Sequence, residues 1–271
     1  MQDRIDYRDK IRRLRLIDDI FMTECLKDIE CAELVLRIIL KRNDIHVTAA
    51  KTQELIRGWG RSLRLDGYFT DDTGRKFNIE IQRANEGAGI RRARFHSSML
   101  DFVSLEAGSE FSELRDNYVI FITEHDVLKR GLPLYTVERC ISETGDGFND
   151  GSHIVYVNGE HRDSSTELGK LMQDFFEPDP MKMNYSVLAE RSEYFKEGKG
   201  NTKMNATIRE LFKDELAQGC SEARSVGISE GNIITNMLKA GKLAFNEIAQ
   251  YTGVSLSRVK SIADSLGISE S

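Results

Sequence analysis

The chain has 271 residues, of which 40% are hydrophobic and 30% charged, with only three prolines. That is enough for one large domain and a small one, and it excludes both a chain disordered by composition and a proline-rich linker protein. The net charge of −6 argues against a nucleic-acid partner until it is divided: residues 1–100 hold 20 Lys/Arg against 16 Asp/Glu, and residues 101–271 hold 18 against 28.

An anionic ligand is therefore expected on the N-terminal part. Cys25, Cys31, Cys140 and Cys220 form no CxxC pair, which points to reduced thiols rather than a disulfide framework. The start of the chain is charged and shows no signal-peptide pattern. The most apolar short stretch, Leu34 to Leu40, is interrupted by Arg37 and is too short to span a bilayer. No membrane partner and a cytoplasmic location are expected.

Along the chain, residues 14–41 carry apolar side chains at spacings of three and four, with a break near Asp28, and predict two helices. Residues 61–69 switch to alternation, with Leu63, Leu65 and Phe69 on one face and Arg64, Asp66 and Tyr68 on the other. The run Asp71-Asp72-Thr73-Gly74 is a turn signal. Alternation resumes with Phe77, Ile79 and Ile81 against Asn78, Glu80 and Gln82. A helix over Ile90–Glu106 follows, with Phe95, Met99 and Phe102 as its apolar stripe. Strands are predicted at Tyr118–Thr123, Leu134–Ile141 and His153–Val157, and a helix at 164–176 that ends before Pro178 and Pro180. The polar region 185–225 is helix-compatible.

The hairpin carries the chemistry. A three-residue loop Asp72-Thr73-Gly74, with Gly74 at positive φ, places Asp66 directly across from Glu80, with Gln82 on the same face. Opposed carboxylates repel, and a hard divalent cation between them would relieve the repulsion. Mg²⁺ takes one or two carboxylates and keeps waters. The same spacing also describes two solvated carboxylates and an amide on an exposed sheet face.

The segments Ser62-Leu63-Arg64-Leu65-Asp66-Gly67, Asn78-Ile79-Glu80-Ile81-Gln82-Arg83 and Arg91-Arg92-Ala93-Arg94-Phe95-His96-Ser97, taken in order, resemble the PD-(D/E)XK nuclease superfamily. More narrowly, they resemble its transposase-like branch, the Rpn family of recombination-promoting nucleases/putative transposases. The helix beginning Asp19-Ile20-Phe21 and the stretch Leu34–Leu40 fit that family's opening helices.

The resemblance covers roughly residues 14–180. It implies an α/β fold with a restriction endonuclease-like α-β-β-β-α-β core, a mixed sheet flanked by helices, and metal-dependent endonuclease cleavage of DNA in recombination. Asp66 and Glu80 would be the metal-binding carboxylates, with Mg²⁺ or Mn²⁺ as cofactor. Asp19 would be a further catalytic carboxylate. Gln82 would stand where the superfamily motif has lysine; it can orient water but brings no charge.

Arg91 and Arg94 would contact DNA phosphates, although a solvated helix face reads the same way. His96 is a structural histidine in one reading and a general base in a less favoured one. The missing lysine keeps a second class of function open: a catalytically inactive DNA-binding or regulatory module on a nuclease fold.

The organisation expected is a nuclease-like domain over 1–180, a helical linker region over 181–230 and a small helical tail over 231–271. Residues 243–266 resemble a helix-turn-helix, with Gly253 ending the first helix and Ser255 capping the second. Arg258, with Ser257 and Ser261, would then face DNA. Alternatively the tail serves packing or self-association, compatible with a homodimer. Its four basic and four acidic residues over 227–271 give no electrostatic footprint.

Overall fold

The computed structural model describes residues 8–57, 62–83, 85–197, 200, 230–241 and 243–268. The chain divides into two compact units, residues 1–204 and 205–271. Among the described residues no helix is long and apolar enough to cross a membrane. Cys25, Cys31 and Cys140 are free thiols, while Cys220 lies outside the described residues.

The first unit opens with three helices, α1 (Arg8–Arg13), α2 (Asp19–Cys25) and α3 (Ile29–Leu40). The break falls at Asp28, whose side chain accepts from the amides of Glu30 and Cys31 and so starts α3 with an ordinary N-cap. Three antiparallel strands follow: β1 (Val47–Ile56), β2 (Leu63–Asp71) and β3 (Lys76–Gln82). Helix α4 (Ile90–Ser104) leads to β4 (Asn117–Thr123), β5 (Leu134–Val137) and β6 (Ser152–Asn158), and α5 (Glu167–Phe176) and α6 (Ser186–Lys196) close the unit.

The sheet order is β1-β2-β3-β4-β6-β5, with β3, β4 and β6 parallel and the outer pairs antiparallel. Every residue of β4 is buried, as its unbroken apolar run Tyr118 to Ile122 requires of a strand covered on both faces. One face carries Phe121 stacked on Tyr156, with ring centroids 5.5 Å apart, under α4. The other carries a stacked row, Phe77, Tyr118 and His153.

The hairpin register is the one the turn predicts: Gly67 pairs with Ile79 and Tyr68 with Asn78, and Gly74 sits at φ 85°. The exposed-face alternative does not hold. Asn78 and Glu80 have no exposed surface, because β3 is a central strand roofed by α4.

Three further expectations are corrected. Strand β1 was not anticipated. Strand β5 stops at Val137 rather than Ile141. The apolar stripe of α4 is not Phe95–Met99–Phe102: Phe102 is 54% exposed, whereas Ala93, His96, Ser97 and Leu100 are buried with Met99. That buried face is partly polar because it lies over polar groups of the sheet; Ser97 Oγ reaches Asn117 Oδ1 at 3.1 Å and Ser152 Oγ at 2.7 Å.

Helix α6 falls in the stretch expected as linker, yet it contacts α1, α2 and α3. It buries Leu188 and Phe195, the latter edge-on to Phe21 at 6.4 Å. Residues 201–229 of that stretch lie outside the described residues.

Among its described residues the second unit holds three helices, α7 (Glu230–Ala240), α8 (Phe245–Thr252) and α9 (Leu256–Ser265). Ile234, Leu238, Phe245, Ile248, Val259 and Ala263 form its core. Gly253 ends α8 at φ 74°, and the Ser255 side chain accepts from the Arg258 amide to start α9.

Candidate active site

Strand register places Asp66 opposite Glu80. The Asp66 amide donates to Glu80 Oε1 at 3.1 Å, and Asp66 Oδ2 accepts from the Ile81 amide at 3.3 Å. Each carboxylate is thus tied to the other residue's strand by a backbone hydrogen bond. Asp66 opens onto a cleft of about 800 Å³ whose walls include Asp19, Gln53, Arg64, Gln82, Arg91, Arg92 and His96.

Asp19 arrives from the first turn of α2 and accepts from Thr23 Oγ1 at 3.3 Å. Burial raises its pKa. Burial, then the charges of Glu80 and Asp19, push Asp66 up to about 8. Glu80 is raised as well, chiefly by burial, against hydrogen bonds from Asn78 and the Asp66 amide and the charge of Arg92. Three acids therefore share one low-dielectric corner, where negative charge is costly.

Glu80 is held from behind by a polar core that the sequence reading did not foresee. Asn78 Nδ2 donates to Glu80 Oε1 at 2.8 Å and to the Gly67 carbonyl at 3.0 Å. With its amide group donating there, Asn78 Oδ1 is the acceptor for His96 Nδ1 at 2.9 Å. His96 Nε2 is then the acceptor for Arg92 Nε at 3.3 Å, and Arg92 Nη2 returns to Glu80 Oε2 at 3.2 Å.

His96 is wholly buried. Burial, helped by Arg92, lowers its pKa to about 4, so it is neutral at pH 7 and fixed in one tautomer by this ring. His96 thus sits in a closed hydrogen-bonded ring between Asn78 and Arg92.

Gln82 lines the cleft at the end of β3. A Cβ on Gly87 would lie 1.6 Å from Gln82 Oε1, so the glycine at 87 makes room for this amide. Of the arginines, Arg91 lines the cleft and Arg94 lies exposed on α4 outside it. Arg92, not singled out from the sequence, makes the direct contact with Glu80. Arg258 is exposed on α9, as are Ser257 and Ser261.

Gln53 was also missed. It stands in β1 opposite Asp66, between the pairs Thr52–Gly67 and Glu54–Leu65, with a left-handed φ of 55°. A non-glycine residue seldom adopts that backbone. Here it sits on the cleft wall, with Nε2 3.4 Å from Thr23 Oγ1. Strain of this kind gathers at functional sites.

Among the described residues no group of three or more His, Cys, Asp or Glu side chains is arranged to hold a metal ion. The oxygen-only pair Asp66 and Glu80 nonetheless suits a hard divalent cation, which takes one or two carboxylates and completes its shell with water.

A mixed sheet with helices on both faces, and two acids opposed across the hairpin that precedes the covering helix, defines the PD-(D/E)XK class of nuclease fold. The family model for PD-(D/E)XK nuclease family transposases matches residues 33–171, just over half of the chain, and the chain belongs to that family. Comparison with curated proteins found no match, and comparison with solved structures found none.

Proposed function

We propose that this protein is a cation-dependent DNA endonuclease of the recombination-promoting, transposase-like kind, acting in the cytoplasm with Mg²⁺ or Mn²⁺ as its ion. The observation that supports it is the convergence of Asp19 and Asp66 on one cleft, with Glu80 buried beside Asp66 under the guanidinium of Arg92. Asp66 and Glu80 hold the ion by their carboxylate oxygens. When bound, the ion would acidify a water and stabilise negative charge on a phosphoryl oxygen.

Gln82, at the cleft wall, orients the attacking water through its amide without adding charge. Asp19 accepts a proton or a hydrogen bond from water on the open side. Arg91 contributes a forked donor to phosphate oxygens. Arg94 and Arg258 are contacts for DNA beyond the cleft.

The test is nicking of supercoiled plasmid with Mg²⁺ and with EDTA. Wild type is expected to nick only with the ion, and Asp66→Ala to be inert. Identical behaviour of wild type and variant would sink the assignment. A gel shift without ion-dependent nicking would instead identify a DNA-binding module on an inactive nuclease fold, the reading favoured by an uncharged residue at position 82.

A further inference from the structure

Arg92 stands on the cleft wall and bonds Glu80, which is itself buried and not part of that wall. The Glu80 carboxylate has no exposed surface, whereas the Arg92 side chain is 42% exposed. Oxygen Oε1 already accepts from the Asp66 amide and from Asn78. Oxygen Oε2 accepts from Arg92 Nη2 at 3.2 Å. The side of Glu80 that a ligand can reach is therefore the side the guanidinium covers.

We propose that Arg92 and the divalent cation compete for Glu80 Oε2, so that Arg92 is a displaceable internal counter-ion that sets how tightly the site takes its metal. The proposal rests on reading Asp66 and Glu80 as the cation's ligands. A cation bound to Oε2 would stand about 2.1 Å from that oxygen if it is Mg²⁺. That is inside the space an N–H donor occupies, and it brings like charges together.

Displacement needs no backbone movement. Arg92 stands in the first turn of α4 with a long, half-exposed side chain, and its second tether is a neutral nitrogen, His96 Nε2, at 3.3 Å. The same contact keeps Glu80 charge-compensated before metal arrives. The apparent metal affinity is scaled down to the fraction of time the contact is open. Once displaced, the guanidinium is left in the cleft, where its fork suits a phosphate.

The experiment is calorimetric titration of the full chain with Mn²⁺, for wild type, Arg92→Ala, Arg92→Gln and Arg92→Lys, with Asp66→Asn as the control for adventitious binding. The thermal midpoint of each metal-free protein checks that it is folded. If Arg92 covers Glu80 for about nine-tenths of the time, the two neutral variants bind Mn²⁺ about tenfold more tightly than wild type. Arg92→Lys, which keeps the charge, falls between.

Neutral variants that bind as wild type does, or more weakly, overturn the competition while leaving the metal site standing. A folded wild type that binds no Mn²⁺ overturns both the metal site and the competition that rests on it. Arg92→Gln keeps most of the side-chain stem, so the comparison survives if Arg92→Ala does not fold.

Discussion

The two ends of the β2–β3 hairpin use the same residue types to opposite effect. At the turn, Asp71 accepts from the Arg75 amide at 2.9 Å and from Arg75 Nε at 2.5 Å. Arg75 also reaches Asp44 at 2.8 Å, and Arg42 brackets Asp44 with bonds of 3.0 and 2.7 Å. Arg42 first, then Arg75, holds Asp44 well below the ordinary carboxylate range. There, two acids meet two guanidinium groups. At the other end only Glu80 of the three acids is ion-paired, to Arg92, while Arg64 acts on Asp19 from a distance, and the acids shift upward instead. Balanced charge holds the turn together, and the excess of acid at the other end is what the proposed cation would offset.

Mutations at the two ends should therefore separate stability from function. Asp71→Ala leaves Arg75, only 7% exposed, without its nearest partner. It should cost about 3 kcal/mol in denaturant unfolding while Mn²⁺ affinity stays unchanged. Asp66→Asn should do the reverse, removing ion-dependent nicking with no loss of metal-free stability. A large stability loss in Asp66→Asn would erase the contrast.

Asn78→Ala tests the support behind the site. It strips a donor from Glu80 and leaves His96 Nδ1–H buried without its acceptor. Cation affinity should fall by about ten- to a hundredfold, with a stability cost of about 1–3 kcal/mol.

The smallest effect is a pH slope. Asp66 binds its proton more tightly when folded than at its ordinary 3.8, so the metal-free fold loses stability as pH rises from about 4 towards 8. His96, lowered from 6.5 to about 4, acts oppositely and only below about pH 6.5. Between pH 6.5 and 8, metal-free stability should thus fall by up to about 1.4 kcal/mol per unit. The slope should flatten in Asp66→Asn, with the raised Glu80 and Asp19 leaving what remains.

The hairpin register and the Asp66–Glu80 opposition were legible in the sequence because Gly74 fixes the turn and, Gly67 and Asp71 apart, apolar and polar side chains alternate over 63–71 and 76–82. The polar core behind Glu80 was not. Arg92, His96 and Ser97 are polar and fall outside the Phe95–Met99–Phe102 stripe, and only the buried Asn78, Glu80, Asn117 and Ser152 beneath them make that side the inner one. Strand β1 was invisible for a related reason. Val-Thr-Ala-Ala-Lys-Thr-Gln-Glu-Leu-Ile lacks an apolar alternation, because it borders the sheet and leaves most of its side chains at least partly exposed. Gln53 was hidden with it. Arg94 was singled out on proximity to the motif, but helical geometry turns it away from the cleft that Arg91 and Arg92 face.

The left-handed residue in β1 bears on more than the cleft. A ten-residue strand at the border of the described sheet is a template on which another chain can pair, and long flat borders of that kind invite sheet-to-sheet aggregation. The backbone twist at Gln53, the register shift between Val47 and Ala49 and the charges of Lys51 and Glu54 interrupt that template at several points along its length. The irregularity beside the acids therefore also breaks up that edge, so straightening β1 to tidy the cleft would lengthen the surface on which another strand can pair.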